Sequence, residues 1–267
     1  MGANTKALKS RIRSVDSTLH LTRAMGLVAS SKMRRANESM GSCRQYAASF
    51  GSVIDLLTAC PECAHSPYMQ PTAGKHVRLI VIAGDRGLAG GYNANVFRLT
   101  DSMEKDKVIP IGKRACDRYH GEFLSSEHFN GAQANEMARQ LCREYLNGDF
   151  DKLGIVSTKY VSMMTQEAQV TWLLPLERTE RTESVGVVFE PDEQSILNTA
   201  VPDYLAGVIM RCIRESFACE VAARRMAMDS AGKNAQSMID NLQLQYNRAR
   251  QGAITQEITE IVAGSGA

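Results

Sequence analysis

The sequence predicts an α/β protein with long terminal helices, in which an antiparallel two-helix coiled coil from both termini accompanies a small Rossmann-like α/β domain. Both ends of the chain carry long helical patterns, and the middle alternates short apolar runs with amphipathic segments. Helices at opposite ends of a chain pack antiparallel when the intervening domain lies at one end of the pair. We therefore expect three parts, residues 1–60, 75–192 and 203–267.

The N-terminal helix is predicted by a heptad seam of apolar and small residues, which recur in alternating steps of four and three. No proline interrupts it before Pro61. The seam consists of Leu8, Ile12, Val15, Leu19, Thr22, Gly26, Ala29, Met33, Ala36, Met40, Cys43, Ala47, Phe50, Ile54 and Leu57. Because its middle lacks large residues, a helix pair built on it would bury little apolar surface per turn. We expect its surroundings to steady it.

The C-terminal helix is predicted from Asp203 to about Val262, because no proline follows Pro202. At ~1.5 Å per residue it would be about 90 Å long, whereas a typical globular helix has about 11–12 residues. One stripe of this helix is small and lets a partner helix approach closely. The stripe consists of Ala223, Ala227, Ala231, Ala235, Met238, Leu242, Tyr246, Ala249 and Ala253.

The middle of the chain predicts a three-layer α/β domain with a mainly parallel sheet. Strands are predicted at residues 77–83, 108–111, 153–157 and 168–174. A short helix through Phe97 and a longer one over residues 132–146 are predicted as well. A charged connector over residues 176–190 leads back to the long helix. The glycine-rich loop Gly84–Asn93 lacks the spaced Gly-Lys-Ser/Thr of a P-loop and does not fit the dinucleotide fingerprint. A nucleotide-binding enzyme is therefore a weaker hypothesis.

No catalytic, cofactor or metal site is predicted. The histidines lie apart, and neither a nucleophile elbow nor an HExxH motif is present. The pair Cys60 and Cys63, followed by His65, is compatible with zinc or redox chemistry, but no second pair at metal-ligand spacing accompanies it.

Composition excludes a membrane-spanning chain. Hydrophobic residues make up 44% and charged residues 22%, as in globular proteins. The longest purely apolar run, Leu79–Ala83, is far shorter than the ~20 residues that span a bilayer. We expect no direct membrane insertion. Since the heptad seam already begins at Leu8, the basic N-terminus is interpreted as part of a mature bacterial cytoplasmic protein and not as a transit peptide.

The first 40 residues are basic, although the net charge of the whole chain is only +2. Only Asp16 and Glu38 oppose the lysines and arginines there. Such an excess fits a solvated coiled-coil face, an acidic protein partner or nucleic acid. Aromatic residues, which favour single-strand binding, do not alternate with the basic ones.

The C-terminal run Tyr246–Val262, YNRARQGAITQEITEIV, is the most distinctive stretch of the chain. Three further stretches accompany it, at residues 22–34, 85–93 and 222–228. These stretches, in the order in which they occur along the chain, closely resemble the gamma-subunit family of F-type ATP synthases. The likeness covers essentially the whole chain.

The resemblance implies a rotor shaft without a catalytic site or cofactor of its own. The terminal helices would lie inside a hexamer of alternating alpha and beta subunits, and the α/β domain would sit with the epsilon subunit on the ring of c subunits. The implied location is peripheral, on the cytoplasmic face of the bacterial membrane. The alternative function is a basic coiled-coil protein that binds nucleic acid.

The resemblance also implies contact residues, position by position. Tyr204 corresponds to the foot near the c-ring and the epsilon subunit. The implied contacts with beta-subunit loops are Arg23, Met25, Lys32, Arg34 and Arg35 on the N-terminal helix, and Arg250, Gln251, Thr255 and Glu257 on the C-terminal helix.

Overall fold

Long helices form both ends of the chain in the computed structural model, which describes residues 2–70, 74, 76–179 and 189–265. The helices are α1 (Gly2–Ala59), α2 (Tyr92–Asp101), α3 (Lys113–Tyr119), α4 (Gly131–Leu146) and α5 (Glu193–Ser265), with a 3₁₀ helix at Pro61–His65. The strands are β1 (Val77–Ile82), β2 (Lys107–Ile111), β3 (Lys152–Tyr160) and β4 (Gln166–Leu174). This arrangement confirms the predicted fold class. The short helix α3 was not predicted, and most of the charged connector lies outside the described residues.

The strands form one sheet in the order β2-β1-β3-β4. β1 pairs in parallel with β2 and β3, whereas β3 and β4 form an antiparallel hairpin. Ile80 of β1 lies opposite Ile109 on one side and Ile155 on the other. The sheet is therefore mainly parallel, as predicted, with an antiparallel strand at one edge.

Two apolar layers cover the two faces of the sheet. On one face, Ile80 and Ile155 pack in a cluster with Leu141 of α4 and with the first turns of α5. On the other face, Leu79 packs with Val96 of α2. Because successive side chains of a strand point to opposite faces, each strand contributes to both layers.

Helix α5 begins at Glu193, ten residues before the predicted start at Asp203. The prediction that Pro202 marks the boundary was therefore wrong. The carboxylate of Asp192 accepts hydrogen bonds from the backbone nitrogen (2.8 Å) and the hydroxyl (2.7 Å) of Ser195 and so caps the helix. A proline inside a helix removes one backbone hydrogen bond, but the surrounding turns are anchored in the core. The fully buried residues there are Leu197, Val201 and Leu205.

The chain divides into two compact units, and both boundaries fall inside the long helices. Unit 1 comprises residues 1–30 and 224–267, and unit 2 comprises residues 31–223. The predicted division into residues 1–60, 75–192 and 203–267 stays a prediction.

In unit 1, α1 and α5 run antiparallel. Leu19 packs with Ala235 and Ile239. Later on α1, Gly26 faces an earlier residue of α5, because a Cβ added to Gly26 would lie 3.7 Å from the Cβ of Met228. The contacts thus move backwards along α5 as they move forwards along α1, which confirms the antiparallel coiled coil.

The heptad seam of α1 is confirmed, since each of its fifteen residues, from Leu8 to Leu57, is buried or partly buried. The stripe on α5 differs at one step. Ile239 is 5% exposed, whereas Met238, which was predicted to lie in the stripe, is 45% exposed. From Ala235, a step of four and not of three reaches the next buried position, so the prediction for Met238 was wrong.

Among the described residues, one helix, α5, has the length and composition of a membrane-crossing helix, because its most apolar 18-residue window reaches a mean hydropathy of 1.2. Half of that window, 50%, is buried inside the protein. Burial of this kind is what a core helix of the fold requires.

We expect Ile239→Ala to lower the free energy of unfolding by about 2 kcal/mol or more, because it removes buried apolar atoms and leaves a cavity. Met238→Ala, at the exposed neighbouring position, should change that free energy by less than ~0.5 kcal/mol. Urea denaturation followed by circular dichroism measures both values. Equal effects of the two substitutions would contradict the seam through Ile239.

Candidate functional site

Two predicted contact residues, Arg23 and Met25, lie on the α1 part of unit 1. Arg23 is exposed, and its Nη2 atom donates a hydrogen bond to Oε1 of Gln236 on α5 over 3.3 Å. Met25 is partly buried. The Arg23 guanidinium therefore bridges the two helices and remains open to solvent.

A groove of about 600 Å³ lies beside Arg23 between the two helices of unit 1. Gly26 and Gly232 both line it, so the helices approach closely without filling it with side chains. A Cβ added to Gly232 would lie 3.6 Å from Oγ1 of Thr22. The charged residues that line the groove are Arg23, Arg225, Lys233 and Asp229. The charged part of the lining therefore carries an excess of positive charge.

The remaining predicted contacts on α1 lie in unit 2 and differ among themselves. Arg34 and Arg35 are exposed, and Nε of Arg34 lies 3.9 Å from Oε1 of Glu38 one turn away. The side chain of Lys32 is only 33% exposed, and its Nζ atom forms an ion pair with Glu127. The two arginines are thus accessible, whereas the Lys32 ammonium already has a partner within the chain.

The predicted contacts near the end of α5 are all exposed, namely Arg250, Gln251, Thr255 and Glu257. Large apolar side chains beside them are exposed as well, with Ile254 at 47%, Ile258 at 56% and Ile261 at 70%. Since soluble proteins rarely leave contiguous apolar surface uncovered, this end of α5 has the character of a partner-binding surface.

Within unit 1, the predicted contact residues of α1 and those near the end of α5 lie apart. The groove beside Arg23 reaches α5 at Gly232, which precedes Arg250 by 18 residues. At ~1.5 Å per residue this is a distance of about 27 Å along the helix. A partner would contact the helix pair at two separate levels.

Tyr204, the predicted foot residue, is partly buried between α1 and α5 in unit 2. The centroid of its ring lies 6.2 Å from that of Phe50. Burial raises the pKa of its phenol, Asp55 raises it further and Arg211 lowers it. The ring therefore helps to pack the two helices, and its contact with a c-ring stays a prediction.

The glycine-rich loop Gly84–Asn93 is held by contacts within the chain. The backbone nitrogen of Gly84 donates a hydrogen bond to Oδ1 of Asn93 over 2.9 Å. A Cβ added to Gly84 would lie 2.7 Å from the carboxyl carbon of Glu220, so the Glu220 side chain of α5 approaches the loop closely here. These contacts favour a structural role for the loop over phosphate binding.

The carboxylate of Asp85 connects this loop to two others, which the sequence analysis missed. Oδ1 accepts hydrogen bonds from the backbone nitrogens of Lys113 and Ser126, each over 3.1 Å. Oδ2 accepts them from the Ser125 hydroxyl over 2.7 Å and the Glu127 nitrogen over 3.0 Å. Burial alone would raise the pKa of Asp85, but these hydrogen bonds outweigh burial and lower it. The only sequence signal for these hydrogen bonds was the position of an aspartate shortly after a buried strand, which is a weak one.

The Cys60 and Cys63 thiols lie at the end of α1. Burial is the main cause that raises the pKa of Cys60, and it raises the pKa of Cys63 to about 11. The thiolate, which is the form that binds metals and attacks disulfides, is therefore disfavoured at neutral pH. In the part of the chain that the structure describes, no three His, Cys, Asp or Glu side chains group as a metal ion would require.

We expect Asp85→Asn to lower the free energy of unfolding at neutral pH by about 1–3 kcal/mol, since an amide nitrogen cannot accept the buried hydrogen bonds. The folded-state pKa of Asp85 is depressed, so its contribution to stability is complete above the ordinary aspartate pKa of ~3.9. It is lost as pH falls from there through the lower folded-state pKa.

Urea denaturation of the wild type and the variant over a pH series tests this expectation. Asp117→Asn, at an exposed position on α3, is the matched control and should have little effect. A stability difference for Asp85→Asn that does not shrink on acidification would contradict the assigned hydrogen bonds.

Three comparisons place the chain among known proteins. A family model described as ATP synthase matches residues 4–267. The ATP synthase gamma chain of Moorella thermoacetica is 38% identical over 279 residues, which cover 99% of each chain. The sodium ion specific ATP synthase gamma chain of Acetobacterium woodii is 38% identical over 300 residues, covering 100% of this chain and 99% of the relative.

A chain in the rotor of the Euglena gracilis mitochondrial ATP synthase shares the fold, with a TM-score of 0.64 and 14% identity over 95% of this chain and 100% of that one. Identity over the full length of the relatives, together with the family match, leads to one conclusion. The chain belongs to the ATP synthase gamma-chain family.

Proposed function

We propose that this chain is the gamma subunit, the central-stalk rotor shaft, of an F-type ATP synthase. The observation that carries the proposal is the 38% identity with a gamma chain over 99% of both chains. The family and the relatives give no support to the nucleic-acid-binding alternative.

The exposed end of α5 supports a shaft inside a surrounding sleeve. Its side chains Ile254, Ile258 and Ile261 remain open to solvent in the isolated chain. Such a surface is stabilised when partner subunits cover it. In this proposal the sleeve is a hexamer of alpha and beta subunits, and Arg250, Gln251, Thr255 and Glu257 are polar contacts with beta-subunit loops.

The basic residues of α1 supply the second level of contact. Arg23, Arg34 and Arg35 are exposed, and three of the four charged residues that line the groove beside Arg23 are cations. An acidic loop of a beta subunit would complement this surface in charge. Met25 lies within the same stretch.

The mechanism follows from the asymmetry of such a shaft. In each rotary position it makes different contacts with the three beta subunits of the family's hexamer. Those differences in contact energy shift each nucleotide site among its conformations. Catalysis then belongs to the beta subunits, and this chain has no catalytic site of its own.

We place the α/β domain at the foot, with the epsilon subunit and the c-ring, and Tyr204 near that contact. Ion flow turns the ring and shaft and drives ATP synthesis, and hydrolysis drives the reverse. The location is peripheral, on the cytoplasmic face of the bacterial membrane. Association with the membrane is through partners, without insertion of this chain.

Purification of the tagged chain from its native membranes in mild detergent tests the proposal. We expect alpha, beta and epsilon subunits in defined stoichiometry, identified by mass spectrometry, together with ATPase activity in the eluate. Recovery of the chain alone or with nucleic acid would overturn it.

We expect the double substitution Arg250→Ala and Gln251→Ala to lower the rate of ATP hydrolysis by the assembled complex, since it removes polar contacts with beta-subunit loops. Gln243→Ala with Gln245→Ala, at exposed positions earlier on α5, is the matched control. Steady-state ATPase assays on complexes of equal subunit composition measure the effect. Unchanged turnover in the first variant would count against the assigned contacts.

A further inference from the structure

Residues 125–129, here named the junction turn, contact both long helices and the loop after β1 within unit 2. The carboxylate of Glu127 forms an ion pair with Nζ of Lys32 on α1. Its second oxygen lies 3.5 Å from Nη2 of Arg86 in the loop after β1. The Glu127 side chain therefore lies between a cation of α1, Lys32, and a cation of the α/β domain, Arg86.

The same turn holds α5 through its backbone. The guanidinium of Arg214 donates a hydrogen bond to the carbonyl oxygen of Glu127 over 3.1 Å and another to that of Phe129 over 2.6 Å. Hydrogen bonds from a charged donor are stronger than neutral ones. The Phe129 side chain, 1% exposed, anchors the end of the turn in the core.

The position of the junction turn is itself set by the α/β domain. Asp85, directly after β1, accepts hydrogen bonds from the Ser125 hydroxyl and from the backbone nitrogens of Ser126 and Glu127. The side chain of Glu127 is only 20% exposed, which protects its ion pair from screening by salt. The turn is therefore a rigid part of the domain from which Glu127 reaches α1.

The junction turn meets both helices far from their covalent connections to the domain. Lys32 precedes Ala59, the last residue of α1, by 27 residues, or about 40 Å at ~1.5 Å per residue. Arg214 follows Glu193, the first residue of α5, by 21 residues, or about 32 Å. Other contacts hold the helices to the domain nearby, since Ala36 and Met40 of α1 pack beside Tyr160 of β3, and Nη2 of Arg44 donates a hydrogen bond to the Tyr160 carbonyl oxygen over 3.0 Å. The junction turn adds a charged connection to the domain at the level of Lys32.

We infer that Glu127 is a positioning residue for rotary coupling, which fixes α1 to the α/β domain through Lys32 so that rotation of the domain is transmitted to the helix pair without slip. This inference rests on the proposed rotor function. It also gives Lys32 a role inside the chain, in contrast to the accessible Arg34 and Arg35. The Glu127 carboxylate binds the Lys32 ammonium of α1.

Hydrogen exchange of the isolated full-length chain tests the connection without requiring the rotor. Glu127→Gln and Lys32→Met should each accelerate amide exchange severalfold in the α1 residues around Lys32. The double variant should exchange no faster than Glu127→Gln alone, because that variant already removes the ion pair with Lys32. Glu136→Gln is the same chemical change at an exposed position on α4, and it should leave exchange in the α1 residues around Lys32 unchanged. Unchanged exchange in both single variants would overturn the inference.

ATP-driven ion uptake into vesicles that contain the assembled complex tests the role in coupling. For Glu127→Gln we expect ATP hydrolysis to continue while the ions transported per ATP fall severalfold, and for Glu136→Gln we expect no change in that ratio. Faster exchange with an unchanged transport ratio would show that Glu127 fixes α1 but does not transmit rotation, and would overturn the coupling role.

A wild-type chain that joins no ATP synthase would overturn the proposed function and the coupling role together. The exchange result would still decide whether Glu127 holds α1. The failure of the inference and the failure of the proposed function therefore give different results.

Discussion

The close approach of α1 and α5 is the constraint on which the rest of the structure depends. In unit 1 a Cβ added to Gly26 or Gly232 would reach the opposite helix at ordinary contact distance, 3.7 Å and 3.6 Å, whereas in unit 2 a Cβ added to Gly207 would lie only 2.9 Å from Cε1 of Tyr46. Small side chains bring helices together but bury little apolar area per turn. The helices therefore need further support, and within unit 2 the junction turn provides part of it through charged and hydrogen-bonded contacts with both.

The sequence predicted those elements whose residues repeat at the period of the element. The seam of α1 repeats without a break, and the parallel strands are short apolar runs, so both were found. The prediction failed where the same residues were compatible with two structures. From Ala235, steps of three and four are equally compatible with a helix stripe, and only packing shows that Ile239 and not Met238 is buried. Pro202 indicates a helix start by itself, but burial of Leu197 and Val201 extends α5 past it.

The candidate site was predictable only in part, and by likeness more than by pattern. An exposed helix face that binds a partner has the same composition as one that only meets water, so Arg250 and Glu257 were identified by resemblance. The pair of Lys32 and Glu127 is separated by 95 residues, and no local pattern relates two such positions. Asp85 acts on donors 28 to 42 residues away for the same reason. These contacts exist only after the chain has folded.

The antiparallel pair of unit 1 also has a consequence for biosynthesis. Its contacts join residues 1–30 to residues 224–267, and the ribosome makes the earlier segment long before the later one. The apolar seam near Leu19 therefore lacks its partner residues Ala235 and Ile239 while residues 31–223 are being translated. Contacts between distant segments form slowly, and apolar surface that waits for them promotes aggregation.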